Sequence, residues 1–212
     1  MFDTVTPLSI GSDSYQDDTR TVVVASFDGF QAFLTGNAGQ ANKMYRVPAS
    51  TADVPSIISS NIGSETYETV SLVVGEFDDN SNLDVVITNV DRSLIAYTNP
   101  GTSTFSDVSP LVVGATATPG VSIGLGDLDS NGFLDVLVGN QLYLNPGDGD
   151  LFEVDPVSFS LLDEAVNCVG VADLDNDVTP WQTRQTCTHK QLCALRPTWY
   201  VLLTCVSLCV AG

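Results

Sequence analysis

The sequence predicts an all-β fold built from a four-stranded unit that recurs about every fifty residues, and three observations carry that prediction. The stretch VSIGLGDLDSNGFLDVLVG (121–139) returns 51 residues earlier as VSLVVGEFDDNSNLDVVIT (70–88), and 46 residues later as CVGVADLDNDV. Each copy holds β-branched apolar runs bounded by Gly, Asn, Asp and Pro, which is the pattern of short strands and turns. No stretch has the 3.6-residue apolar period of a long amphipathic helix.

The units follow one another along the chain. The first, TVVVASFDGFQAFLTGN, is degenerate: its turn is shortened, and of the later acidic positions only Asp28 survives. Ahead of it, FDTVTPL (2–8) echoes FSDVSPL (105–111) in residue type, so the chain begins in what reads as the outer strand of an earlier unit. The polar segment around Ser56–Tyr67 reads as an extended outer strand and its connection. In the third unit the strands are expected at Val121–Leu125, Phe133–Val138, Gln141–Leu144 and Leu151–Val154. The hairpins repeat as well, AYTNPGTSTFSDVSPL (96–111) against LYLNPGDGDLFEVDP (142–156). Inner strands such as VSIGLG and DVLVG are almost continuously apolar, as expected when neighbouring sheets cover both faces. Four strands per repeat is the arithmetic of a propeller blade, favoured over a sandwich. The expected architecture is a partial β-propeller of about four four-stranded blades, the first and last incomplete, followed by a non-homologous C-terminal tail.

That tail is set apart by composition. All 26 acids lie in residues 1–177, whereas 178–212 hold none and carry both tryptophans, His189 and four of the five cysteines. The blades are therefore assigned to 1–177. The Cys-rich segment 178–212 is expected to be disordered or the product of a foreign reading frame, since C-x5-C and C-x11-C-x3-C match no zinc spacing. Its apolar end, Trp199–Gly212, is shorter than the ~20 residues of a spanning helix. With 43% apolar and 16% charged residues the chain is globular in composition. The excess of 26 acids over 7 bases excludes a nucleic-acid partner, which requires a basic face. The N-terminus shows no basic start and no apolar run of signal-peptide length.

The acidic loop is the most informative motif. Asp127, Asp129, Asn131 and Asp135 occupy positions 1, 3, 5 and 9 of a turn between two strands. Carboxylates gathered this tightly repel by about 1–4 kcal/mol per pair near a protein surface. A hard cation reverses the sign: calcium takes six to eight oxygen ligands from carboxylates, amides, carbonyls and water. Alternate positions turn side chains inward, the Phe133 carbonyl at position 7 can join, and Asp135 closes the shell. Gly132 at position 6 supplies the sharp bend. An EF-hand would need a carboxylate at position 12, where Val138 stands, and flanking helices.

The pattern D-x-D-x-N-G-x-x-D between β-strands, recurring every fifty residues, resembles the FG-GAP/VCBS repeats of calcium-binding β-propellers, of which integrin α-subunit heads are the best known. The resemblance spans residues 1–177 and implies Ca2+ as the bound ion. By position it implies ligands Glu76, Asp78, Asn80, the Asn82 carbonyl and Asp84 in the second unit, where Ser81 replaces glycine and should strain the loop. In the fourth it implies Asp173, Asp175 and Asp177, but Val178 and Trp181 stand at positions 6 and 9, which counts against binding there. The first unit's loop should be empty. Alanine at Asp129 or at Asp135 is expected to lower stability in calcium and to change little in EDTA.

Catalysis finds little support. GVSIG (120–124) matches G-x-S-x-G around Ser122, but inside an apolar strand rather than at a strand–turn–helix elbow. The expected function is a non-catalytic, calcium-binding propeller module for binding or adhesion to protein or carbohydrate, with no membrane span. By resemblance it belongs outside the cell or at its surface. The alternative is the scaffold fragment of a secreted lyase or dehydratase carrying the same repeats.

Overall fold

The computed structural model describes residues 17–47, 58–90, 94–102, 104–113, 121–129, 131–147, 156–158, 169–172, 192–196 and 199–203, and among these there is no helix. The first sheet is a meander of β1 (Thr19–Phe27), β2 (Phe30–Asn37), β3 (Asn42–Val47) and β4 (Ile58–Ile62). The second runs β5 (Thr69–Gly75), β6 (Asp84–Asn89), β7 (Leu94–Tyr97) and β8 (Leu111–Val113). The third runs β9 (Ile123–Gly126), β10 (Asp135–Val138), β11 (Gln141–Tyr143) and β12 (Val157–Ser158). The fourth holds β13 (Val169–Ala172), β14 (Leu192–Arg196) and β15 (Trp199–Leu203) in the order β13-β15-β14. All pairings are antiparallel.

The first unit's shortened loop is the two-residue turn Asp28-Gly29, with Phe27 paired to Phe30, and all four of its strands are present, while the outer strand of an earlier unit expected at 2–8 lies outside the described residues. A turn that short closes a hairpin without shortening the strands it joins. In the third sheet the fourth strand lies at Val157–Ser158, while Leu151–Val154 falls outside the described residues. Strands β14 and β15 fall within the compositionally distinct stretch 178–212 and pair back onto β13.

The second sheet shows why its strands are apolar throughout. Side chains alternate across a strand, so Val85, Ile87, Ile95 and Tyr97 pack with Phe27, Leu34 and Met44 of the first sheet. The intervening Val86, Leu94 and Ala96 pack with Ile123, Val136, Val138 and Tyr143 of the third. Each fully buried Val, Leu, Ile, Phe or Met among them is worth about 1.5–3 kcal/mol. The first strands meet in succession, β1 on β5, β5 on β9 and β9 on β13. Polar bonds cross between sheets at the same level: Thr88 Oγ1 donates to the Val121 carbonyl at 2.7 Å, and Ser122 Oγ to the Val169 carbonyl at 3.2 Å. The Ser56–Tyr67 segment supplies β4 from Ile58. Its connection is pinned where Tyr97 Oη donates to Glu65 at 2.9 Å and the Gly63 amide to the Phe105 carbonyl at 3.1 Å.

The close approach of first strands depends on missing side chains. A methyl group on Gly126 would stand 2.7 Å from Cγ1 of Val171, a stiff β-branched neighbour on β13. Gly126→Ala is therefore expected to lower the urea midpoint, by an amount equivalent to about 1–3 kcal/mol. An unchanged midpoint would mean that β13 does not rest on β9.

Candidate metal centre

Both acidic loops begin where the first strand of a sheet ends and finish where the second begins. Position 9 is the first residue of that second strand, Asp84 on β6 and Asp135 on β10. Both are fully buried. Asp84 Oδ2 accepts the Phe77 amide at 2.9 Å and its Oδ1 the Asn99 amide at 2.7 Å. Asp135 repeats this with the Leu128 amide at 2.6 Å and the Asn145 amide at 2.8 Å. The position-9 carboxylate thus fastens the loop to the hairpin that follows, a role beyond closing a ligand shell.

Positions 1 and 3 are half-buried and converge on position 9. One oxygen each from Glu76, Asp78 and Asp84, and one each from Asp127, Asp129 and Asp135, lie within 4.8 Å of one another. Position 5 braces the loop. The Asn131 amide nitrogen donates to Asp127 Oδ1 at 3.0 Å and Asp129 Oδ1 at 3.1 Å, its Oδ1 accepts the Phe133 amide at 2.9 Å, and its Nδ2 donates to the Asn145 carbonyl at 2.7 Å. Asn80 does the same with Glu76, Asp78, Asn82 and the Asn99 carbonyl, at 3.1, 3.3, 2.8 and 2.9 Å. Residues 82 and 133 therefore sit at the closing bend of each loop. Asp173, Asp175 and Asp177 lie outside the described residues, and Asp28 sits in the tight turn of the first hairpin.

The donor set decides what can bind. Each cluster is all oxygen and triply acidic, and like charges 4.8 Å apart repel by about 3 kcal/mol per pair at an effective dielectric near 20. Among the described residues the ion pairs are Arg20–Asp18 and Lys43–Asp17, and neither reaches a cluster. Either cluster could hold a metal ion, and hard oxygen donors suit a hard cation.

Burial pushes the Asp84 carboxyl up to about 6; the Asn99 and Phe77 amides oppose the shift, and Asp78 and Glu76 add to it. Asp135 is raised for the same reasons, burial first, against the Asn145 and Leu128 amides and with Asp129 and Asp127.

The asparagines of the Asn-Pro-Gly turns are residues of the candidate site that sequence reasoning passed over. Asn99 and Asn145 give their amides to position 9 and their carbonyls to position 5, while their Oδ1 atoms accept the amides of Gly101 and Gly147, each at 3.0 Å. The available signal was the recurrence of NPG in both hairpins. The glycine position behaves as expected. Gly132 has φ +95°, and Ser81, its counterpart, is forced to +67°; Asp79 also lies at +60°.

Two outcomes follow for the metal-free protein. Ser81→Gly should stabilise the fold by up to about 1 kcal/mol and Gly132→Ala destabilise it by about 1 kcal/mol, read as shifts of the urea midpoint, because a left-handed backbone costs a β-carbon roughly that much. The second concerns pH. Asp84 takes its proton near pH 6 in the folded state and near 3.8 when unfolded. Between those values the fold binds more protons than the unfolded chain, so stability falls as pH rises through the window. Melting in EDTA should show the midpoint dropping from pH 4.5 to 7, and Asp84→Asn should flatten that slope.

Residues 76–138 match the family model described as the FG-GAP-like repeat. No curated protein matches the chain at a significant level. The matched span opens on Glu76, the first acid of the second loop, and closes on Val138, the last residue of β10, so it takes in both acidic loops. Across residues 76–138 this chain is similar to the FG-GAP-like repeat.

Proposed function

We propose that the chain is a calcium-binding β-propeller module with no catalytic role, which presents its loops to a protein or carbohydrate partner outside the cell, as in adhesion. The observation that carries the reading is the pair of equivalent all-oxygen clusters, each with three acids within 4.8 Å and no ion-pair partner among the described residues. In the second loop Glu76, Asp78, Asn80 and Asp84 hold the ion with the Asn82 carbonyl; in the third Asp127, Asp129, Asn131 and Asp135 do so with that of Phe133. Calcium, filled from millimolar extracellular levels, offsets the repulsion and ties the loop to the blade.

The propeller reading is supported by register. Thr19 Oγ1 donates to Asn37 Oδ1 in the first sheet as Thr69 Oγ1 does to Asn89 Oδ1 in the second, at 2.8 and 3.1 Å, which aligns the two sheets. In that alignment Val22, Val24, Phe33 and Tyr45 match Leu72, Val74, Val85 and Tyr97, residues that pack toward the first sheet. Yet Val22 and Val24 are 58% and 73% exposed, and Thr35 Oγ1 on the same face is buried without a partner. That face is shaped to receive a further sheet.

Isothermal titration should give uptake of two calcium ions by the chain, one lost in Asp78→Ala and the other in Asp129→Ala. Asp129→Ala should lower the melting temperature in calcium but not in EDTA, where relief of like-charge repulsion offsets the lost exposed hydrogen bond. Asp135→Ala should lower it in both, because it also removes two buried amide contacts. Absence of calcium uptake at millimolar concentration would refute the reading.

A further inference from the structure

The two acidic loops are joined through one side chain. Asn145 is fully buried at the head of the third sheet's Asn-Pro-Gly turn. Its backbone amide donates to Asp135 Oδ1 at 2.8 Å, while its side-chain Nδ2 crosses to the second sheet and donates to the Phe77 carbonyl at 3.0 Å. Phe77 is the residue between Glu76 and Asp78, and its own amide donates to Asp84 Oδ2 at 2.9 Å. An unbroken path therefore runs from Asp135 through Asn145 and Phe77 to Asp84, every member at most 1% exposed. The counterpart in the second sheet makes no such bridge: Asn99 Nδ2 donates to the Leu83 carbonyl of its own sheet at 3.3 Å. The first sheet has a two-residue turn where a loop would have to receive it.

We propose that Asn145 couples the two loops, so that a cation in either one raises the affinity of the other. This rests on the cation reading above. Asn145 touches no ion and acts as a positioning residue. The acids of an unfilled loop repel one another, and ordering them is part of the cost of binding. Filling the third loop fixes Asp135, hence Asn145, hence the Phe77 peptide from which Glu76 and Asp78 project. The second ion then meets a loop already partly ordered, which is positive cooperativity without a large change of shape. Such coupling is reciprocal by thermodynamic necessity.

Calcium titration of the full chain by calorimetry tests it. Asp129→Ala, which leaves Asn145 and Phe77 untouched, should weaken the remaining second-loop site roughly fivefold or more. Asp78→Ala should weaken the third-loop site by the same factor. Asn145→Ala keeps the backbone amide to Asp135 and removes the bridge; in that background Asp129→Ala should no longer affect the second loop. If wild type takes up two ions and both single-loop variants bind their remaining ion with unchanged affinity, the coupling is wrong while the cation reading stands. If wild type takes up none, both fall. Should Asn145→Ala fail to fold, the reciprocal pair Asp129→Ala and Asp78→Ala decides alone.

Discussion

One buried carboxylate per loop holds each of the two sheets with an acidic loop together at its loop end. Asp84 begins β6, and its two oxygens take amides from the residue two places after β5 and from the residue two places after β7. Asp135 does the same for β9, β10 and β11. Hydrogen bonds to an ionised acceptor are roughly twice as strong as neutral ones, and here each acid makes two, away from water. The arrangement also carries a cost. The charge is desolvated, which is why the carboxyl of Asp84 is pushed up to about 6. Two half-buried acids beside it raise that cost further. A fold that places its main fastening in this state gains most from a positive ion at the same point.

The rest of the loop is arranged around that fastening. Position 5 holds the loop's two early acids through its amide and holds the hairpin through its side chain. The Asn-Pro-Gly turn returns both bonds, one from its own amide and one from its carbonyl. Remove position 9 and the turn loses its buried anchor; remove position 3 and the loop loses one charge and an exposed hydrogen bond from the position-5 amide, which Asp127 also accepts. For this reason Asp129 and Asp135, alike in sequence as two acids of one motif, differ in what they do.

Much of this could be read from the chain before any coordinates. The repeat of Asp127–Asp135 on Glu76–Asp84 located both loops, and the unbroken apolar runs announced sheets covered on both faces. Ser81 in the glycine position announced a strained backbone, and it is found at φ +67°. Three things were hidden. The double role of Asp84 and Asp135 depends on amides 7 to 15 residues distant, which spacing alone does not bring near. Asn99 and Asn145 looked like ordinary turn formers because they are that too. The bridge from Asn145 to Phe77 spans 68 residues and depends on how one sheet lies on the next.

The first sheet shows the same mechanical need met by other means. Its β1–β2 hairpin has no acidic loop, and the turn carries only Asp28 and Gly29. In place of a buried carboxylate the end of the hairpin is filled by rings. Phe27 and Phe30 stack with centroids 5.5 Å apart, Phe105 meets Phe27 edge-on at 6.1 Å, and Arg46 lies 4.2 Å over the Phe30 ring. Apolar burial of this kind does not depend on a proton or on an added ion. The end of this hairpin is therefore held by rings, where the second and third sheets use a buried carboxylate.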